Sequence, residues 1–324
     1  MRVLLDTNVW RYLVDAGLEN NLFQVFRRSQ LSITIAPAII VETLRMSDIT
    51  TRRKIIELQT RDSWTRLMSD AFLQCEDVKR EMIRTHPEWE LQSKNINLFR
   101  KLRYDWIRTK GGFWEKVRNN PDKIAEQYKR QDSSALTEVR EYSREDRKSV
   151  LEKNRPMVNT SSLRDWKGSW RNPMSGEEVI ADAWRVYAEL IWRNMLSSET
   201  AFQQWLGCDL DIKFLMSYGY SEYMRFWRSE ASAEAVPREW IRASVHGMQS
   251  ERKVTDGNPT DSAIATHAVD VDLIVSADKN FITMLNRIHN EAPFHTAKGY
   301  LIRSGKEGME DLFNLFSKPS LVSP

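Results

Sequence analysis

Only two cysteines, Cys75 and Cys208, occur in the 324 residues. They stand far apart and without metal-ligand spacing, which excludes a disulfide framework and a zinc site. A reduced compartment is the simplest reading. Long apolar runs are also missing: none approaches the ~18 residues that a membrane helix needs. Asp6 interrupts the one candidate signal-peptide core, so a cytoplasmic protein with no membrane partner is expected. The five histidines, His86, His246, His267, His289 and His295, do not pair at catalytic or metal-ligand spacing. There is neither a Gly-x-Ser-x-Gly motif nor a glycine loop that would cradle phosphate. His-based hydrolysis is thereby disfavoured, and for His267 a packing or surface role is expected. Charge of one sign is scarce too, since the net charge is +3, whereas a protein that coats duplex nucleic acid shows a stronger basic bias.

What is present fits a globular chain: 41% hydrophobic and 29% charged residues can bury a sizeable core, and the length suffices for two folding units. Near the two ends lie MRVLLDTNVW at residues 1–10 and NPTDSAIATHAVDVDLIVSADKNF at 258–281. Asp6 follows the strand-like run Val3-Leu4-Leu5, and Asp278 follows Leu273-Ile274-Val275. Both carboxylates therefore belong where buried strands emerge at the carboxyl edge of an α/β sheet, the edge at which open sheets bind ligands.

Two further acids have local reasons for their places. In SITIAPAIIVETLR, residues 32–35 alternate as a strand, Pro37 suits a first helical turn, and Glu42 falls inside the helix that follows. In NPTDSAIATHA, Thr260 reads as the helix N-cap and Asp261 as a first-turn acid favoured by the helix dipole. Each acid alone has a plain explanation: a cap at Asp6, a dipole partner at Asp261, a turn at Asp278, a solvated face at Glu42. Four carboxylates gathered on one small α/β unit, however, repel one another unless a cation holds them. An all-oxygen set suits Mg²⁺ or Mn²⁺ rather than zinc.

These four segments together resemble the PIN-domain nucleases. LLDTNVW looks like that family's strand followed by Asp-Thr-Asn, and IVETLR like its helix with an inward Glu. TDSAIATHA looks like its Asp and small-residue helix, and IVSADKNF like its strand ending in Ser/Thr-x-Asp-x-Asp-Phe. The resemblance covers roughly residues 1–50 and 255–315. It implies a PIN-like α/β/α sandwich with a mostly parallel sheet; it says nothing of residues 51–254, whose own pattern reads as a large, mainly α-helical insertion. It also implies that Asp6, Glu42, Asp261 and Asp278 form the acidic quartet, with Asn8 and Ser276 as polar supports. Asn280 stands where many members carry a second Asp. The implied activity is metal-dependent hydrolysis of RNA that leaves a 5′-phosphate, in a toxin or defence effector that an inhibitory protein partner would restrain. Two alternatives stand beside it: a structure-selective DNA nuclease whose insertion arches over a single strand, and a non-catalytic nucleic-acid-binding or scaffold protein that keeps the fold.

The expected organisation is a discontinuous α/β unit of residues 1–50 and 255–315, an insertion over 51–254 and a tail over 316–324. Within the α/β unit we expect one helix over about 8–29, a strand at 31–35, a strand at 273–276, a helix from Asn280 to about His289 and a last strand near 299–303. The insertion holds eleven of the twelve tryptophans, and residues 51–255 contain 37 basic and 31 acidic residues, a net of +6. Trp64, Leu67, Met68, Ala71, Phe72, Cys75, Val78 and Met82 keep helical spacing, as do Trp184, Tyr187, Ala188, Ile191, Trp192 and Met195, and both stripes read as core. Residues 118–172 read as exposed helix or mobile loop. Trp106, Trp114 and Arg118 around Gly111-Gly112, and Trp166 and Trp170 around Gly168, are candidate nucleic-acid contacts. Glycine there is expected to break a helix and leave cations beside rings.

Overall fold

The structure is a computed structural model that describes residues 1–29, 31–108, 110–129, 161–171, 176, 178–250 and 258–317. Its centre is a five-stranded sheet, formed by β1 (Arg2–Leu5), β2 (Ser32–Ile35), β3 (Thr65–Arg66), β6 (Leu273–Ser276) and β7 (Lys298–Leu301). The spatial order is β3-β2-β1-β6-β7, and every pairing is parallel. Parallel strands covered by helices on both faces need apolar side chains throughout. Val3, Leu4, Leu5, Ile33, Ile35, Ile274 and Val275 meet that need, all at most 1% exposed.

From β1 the chain proceeds through β2 to β3 on one side, and it later enters β6 on the other side of β1 and continues outward to β7. The connections thus diverge between β1 and β6, which makes their carboxyl ends the switch point at which such a sheet leaves a crevice. Leu4 pairs with Ile274 and Leu5 with Val275, so the residues following both strands emerge side by side.

Several expected boundaries shift. The first helix is two: Thr7–Asp15 and Glu19–Arg28. Gly17, between them, has φ 65°, a left-handed backbone that favours glycine and closes the first helix. The Trp64 stripe becomes helical only in Asp70–Thr85. Trp64 itself precedes β3 and packs its ring against Trp10, Phe23 and Phe26 in the core of the α/β unit. The second stripe lies on the helix Ala183–Leu196, as its spacing indicates.

The sheet draws β3 from inside the stretch expected as insertion, and the helix Ile49–Gln59 packs on Thr7–Asp15. The long helix Pro237–Ser250 packs on both Asn258–Thr266 and Lys279–Glu291. Buried apolar residues of the α/β unit and of the middle stretch form one continuous core. Gly168 does not break a helix. It lies in β4 (Lys167–Arg171), paired antiparallel with β5 (Glu178–Asp182), where a Cβ would stand 3.3 Å from both Ala183 and Val186. Residues 130–160, the larger part of the charged 118–172 stretch, lie outside the described residues. No helix among the described residues is long and apolar enough to cross a membrane.

Candidate active site

Asp6 leaves β1 in an extended conformation and caps the helix Thr7–Asp15. Both of its oxygens are engaged: Oδ1 accepts the Thr7 N–H at 2.7 Å, and Oδ2 accepts from the Asn8 amide at 2.7 Å and from the Ser276 hydroxyl. Asp278 caps the helix Lys279–Glu291 with one oxygen, Oδ1, which accepts the N–H groups of Asn280 at 2.7 Å and Phe281 at 3.0 Å. Capping and site-building are thus the same act at both strand ends, because an N-cap side chain stands where the strand chain turns into a helix.

Glu42 lies in the helix Pro37–Leu44, which begins at Pro37 as the sequence indicates, and it accepts a hydrogen bond from the Thr7 hydroxyl. Asp261 lies in the first turn of Asn258–Thr266. Thr260 is not the cap of that helix, which starts earlier; its hydroxyl accepts from Arg45 at 2.9 Å. The helices of Glu42 and Asp261 pack against each other.

The four acids sense one another. Burial raises the Asp6 carboxyl above its usual range, and Asp278 adds to the rise, while the hydrogen bonds from Ser276, Thr7 and Asn8 oppose it. Burial, and then the Asp6 charge, push Glu42 up to about 7, against the bond from Thr7 and the nearby Arg45 cation. Asp261 rises to about 8, first through burial and then through Asp6, Asp278 and Glu42, with nothing among the described residues acting in the opposite direction. Among the described residues Asp261 meets no hydrogen-bond donor. An acid that is half-buried beside three other acids with no compensation is a site short of positive charge.

The chemistry of this donor set fits a hard divalent ion, being all oxygen, with one oxygen of Asp278 unengaged among the described residues. No three Asp, Glu, His or Cys side chains among the described residues already stand close enough to hold an ion between them. The quartet is brought to one crevice without being closed into a cage.

The supporting residues fall near Asp6. Asn8 holds the Asp6 carboxylate through Nδ2 and accepts the Ala277 N–H through Oδ1 at 3.0 Å. Ser276 is fully buried between Asp6, Asn8 and the Asp278 N–H. Asn280 is exposed and contributes its backbone N–H. Thr7 and Arg45 belong to the site and were not anticipated. Thr7 sits inside the Asp-Thr-Asn motif, and Arg45 lies three residues past Glu42, one turn along the same helix face.

Of the residues expected to touch nucleic acid, Trp106 is half-buried and lines a cavity with Arg45 and Thr260. Trp114 is not available: it is 1% exposed, edge-on to Phe113 and beneath the Arg66 guanidinium at 5.3 Å. A ring enclosed on its faces cannot stack on a base. Arg118 is drawn inward to Thr60 and Asp62, both at 3.1 Å. Trp166 packs against the core beside β4, and the Trp170 side chain lies outside the described residues.

His267 is neither a surface residue nor an apolar packing residue. It is fully buried, with Nε2 2.7 Å from Asp70 and Nδ1 2.9 Å from Asp270. The guanidinium of Arg238 bridges Asp270 to Asp77. Burial pushes the imidazole down, but the Asp70 charge and the bonds to Asp270 and Asp70 outweigh it and raise it to about 9.

No family model, curated protein or solved structure matches this chain.

Proposed function

We propose that this chain is a metal-dependent phosphodiesterase of PIN-like fold that cuts RNA at the crevice of Asp6, Glu42, Asp261 and Asp278. One observation carries the reading: two acids that follow adjacent parallel strands and two helix acids lie near one another at the switch point of the sheet, and among the described residues the charges that act on Asp261 are those of the other three acids. The resemblance of the four motifs to PIN-domain nucleases supports it and supplies RNA as the substrate class.

Bound Mg²⁺ or Mn²⁺ would supply a water of lowered pKa and neutralise charge on the scissile phosphate. Among the described residues Asp278 and Asp261 have open oxygens to hold it. Asp6, anchored by three donors, stands beside Asp278, and Asn8 and Ser276 keep its carboxylate from turning. Glu42 stands beside Asp6, where it is placed to hold a water in position for the attack. Thr7 fixes which Glu42 oxygen faces the helix and leaves the other free among the described residues.

The test is incubation of the purified protein with labelled single-stranded RNA, tRNA, single-stranded DNA and flap DNA, each with Mn²⁺, Mg²⁺ or EDTA. We expect cleavage of single-stranded RNA with Mn²⁺, abolished by EDTA and by Asp278→Asn. Cleavage of flap DNA alone would move the assignment to a DNA nuclease. Absence of cleavage on all four substrates would remove the enzyme reading.

A further inference from the structure

A groove runs from beside Glu42 and Asp261, whose chain neighbours Val41 and Thr260 line it, to the helix Ile96–Ile107. Its inner half is a cavity of about 340 Å³ between the helices that carry Glu42 and Asp261. Val41 and Arg45 line it from the first helix, Thr260 and Ala263 from the second, and Trp106 and Phe202 face them. The outer half, about 770 Å³, shares Ser69, Ala71 and Trp106 with the inner one and opens past Arg100 and Lys101. Trp106 therefore stands where the two halves meet, its ring braced by Phe113 at 4.6 Å.

The two halves differ in chemistry. The inner wall is largely apolar and aromatic. The outer wall carries more cations than acids: Arg108 and Lys116 engage its one lining acid, Asp105, while Arg100 and Lys101 are exposed and have no ion-pair partner among the described residues, and the 56% exposed ring of Tyr104 stands one helical turn from Arg100. Exposed cations followed by a braced ring suit a polyanion whose units are planar: cations hold phosphates, and rings stack on bases of any sequence. The Asp70 carboxylate also lines the inner half, but His267 engages it at 2.7 Å.

Resting on the phosphodiesterase reading for its destination, we propose that this groove binds an unpaired polynucleotide strand, with Arg100 and Lys101 on its phosphates and Trp106 under a base, and leads it to Glu42 and Asp261. A stacked duplex buries its base faces and has none to offer Trp106, so the groove selects single strands.

Binding of short labelled oligouridylate, oligothymidylate and a blunt duplex, measured by fluorescence anisotropy in EDTA with the full chain, tests this without cleavage. We expect single strands to bind more tightly than duplex, and the two single strands to report whether RNA or DNA is preferred. Trp106→Leu should weaken single-strand binding about tenfold, with Trp106→Phe close to wild type. Because Trp106 also packs on Phe113, a second variant carries the test independently: Arg100→Gln with Lys101→Gln, on exposed positions, should reduce the slope of log affinity against log salt by about 1.4. An unchanged slope in that double variant, equal binding of duplex, or equal competition by polyglutamate would each overturn the proposal. Groove-dependent binding without cleavage in Mn²⁺ would leave the groove standing and remove the phosphodiesterase. Cleavage lost in Asp278→Asn but indifferent to the groove variants would do the reverse.

Discussion

Ser276, the last residue of β6, donates its buried hydroxyl to Asp6, the first residue after β1. The same oxygen accepts from Asn8 and from the Asp278 N–H, at 3.0 and 2.9 Å. One side chain therefore sets the orientation of one acid and the backbone position of another.

Ser276→Ala should lower both activity and stability. Its loss takes one of two acceptors from the Asn8 amide, which keeps Asp6, and the side-chain acceptor from the Asp278 N–H, a cost of about 1 kcal/mol, and it removes a donor that holds the Asp6 carboxylate. Urea unfolding and RNA cleavage would be measured in parallel. A variant as stable and as active as wild type would mean that this hydroxyl orients nothing of importance.

Asp278→Asn is the cleaner test of charge. Asparagine caps helices about as well as aspartate, and its carbonyl can still accept from Asn280 and Phe281, so the melting temperature should hold while cleavage is abolished. Asp6→Asn is less clean, because an amide would set a donor against the Asn8 or Thr7 donors that now face a carboxylate. It should lose stability as well as activity. Wild-type cleavage by Asp278→Asn in Mn²⁺ would refute the assignment.

Glu42 and Asp261 should make the metal-free protein less stable as pH rises. Their folded values, about 7 and about 8, exceed the ordinary values of 4.5 and 3.8. The stabilisation from protonation in the folded state is complete below those ordinary values and is lost as pH rises through 7 and 8. Thermal melts in EDTA should fall across that window, Asp261→Asn should melt higher than wild type at pH 8, and Mn²⁺ should raise the melting temperature more at pH 8 than at pH 6. Identical melts for Asp261→Asn and wild type at both pH values would show that the four acids do not interact.

His267 should contribute a second decline at the alkaline end. Its folded value of about 9 lies above the ordinary 6.5, so its ion pairs stabilise fully below 6.5 and fade as pH passes 9. Asp270 accepts from the same imidazole and is clamped between His267 and Arg238. Asp270→Asn should therefore cost about 3 kcal/mol or more, because a buried guanidinium and imidazolium lose a partner, with cleavage per folded molecule unchanged. Chemical denaturation at pH 7 would decide it, and a loss below about 1 kcal/mol would count against the network.

Trp114→Ala should lower stability by about 3–5 kcal/mol and leave the affinity of the folded protein for single strands as it was. Calorimetry paired with the anisotropy assay separates the two. Weakened binding at full stability would return Trp114 to the groove.

Much of this arrangement was legible in local patterns. Apolar runs ending in Asp marked β1 and β6, Pro37 marked the start of the Glu42 helix, and the Trp184 stripe marked a buried helix face, because backbone sterics and side-chain periodicity act over a few residues. Only the tertiary structure decided that β1 and β6 are neighbours, that Thr7 reaches Glu42, that β3 comes from beyond residue 50, and that Trp114 is enclosed while Trp106 lines a groove. Sequence spacing reports which side chains share a face, but not what that face meets. That depends on pairing between strands some 270 residues apart and on helices packed across the sheet, and it is there that burial raised Asp261 and Glu42, and ion pairing raised His267, above their ordinary protonation ranges.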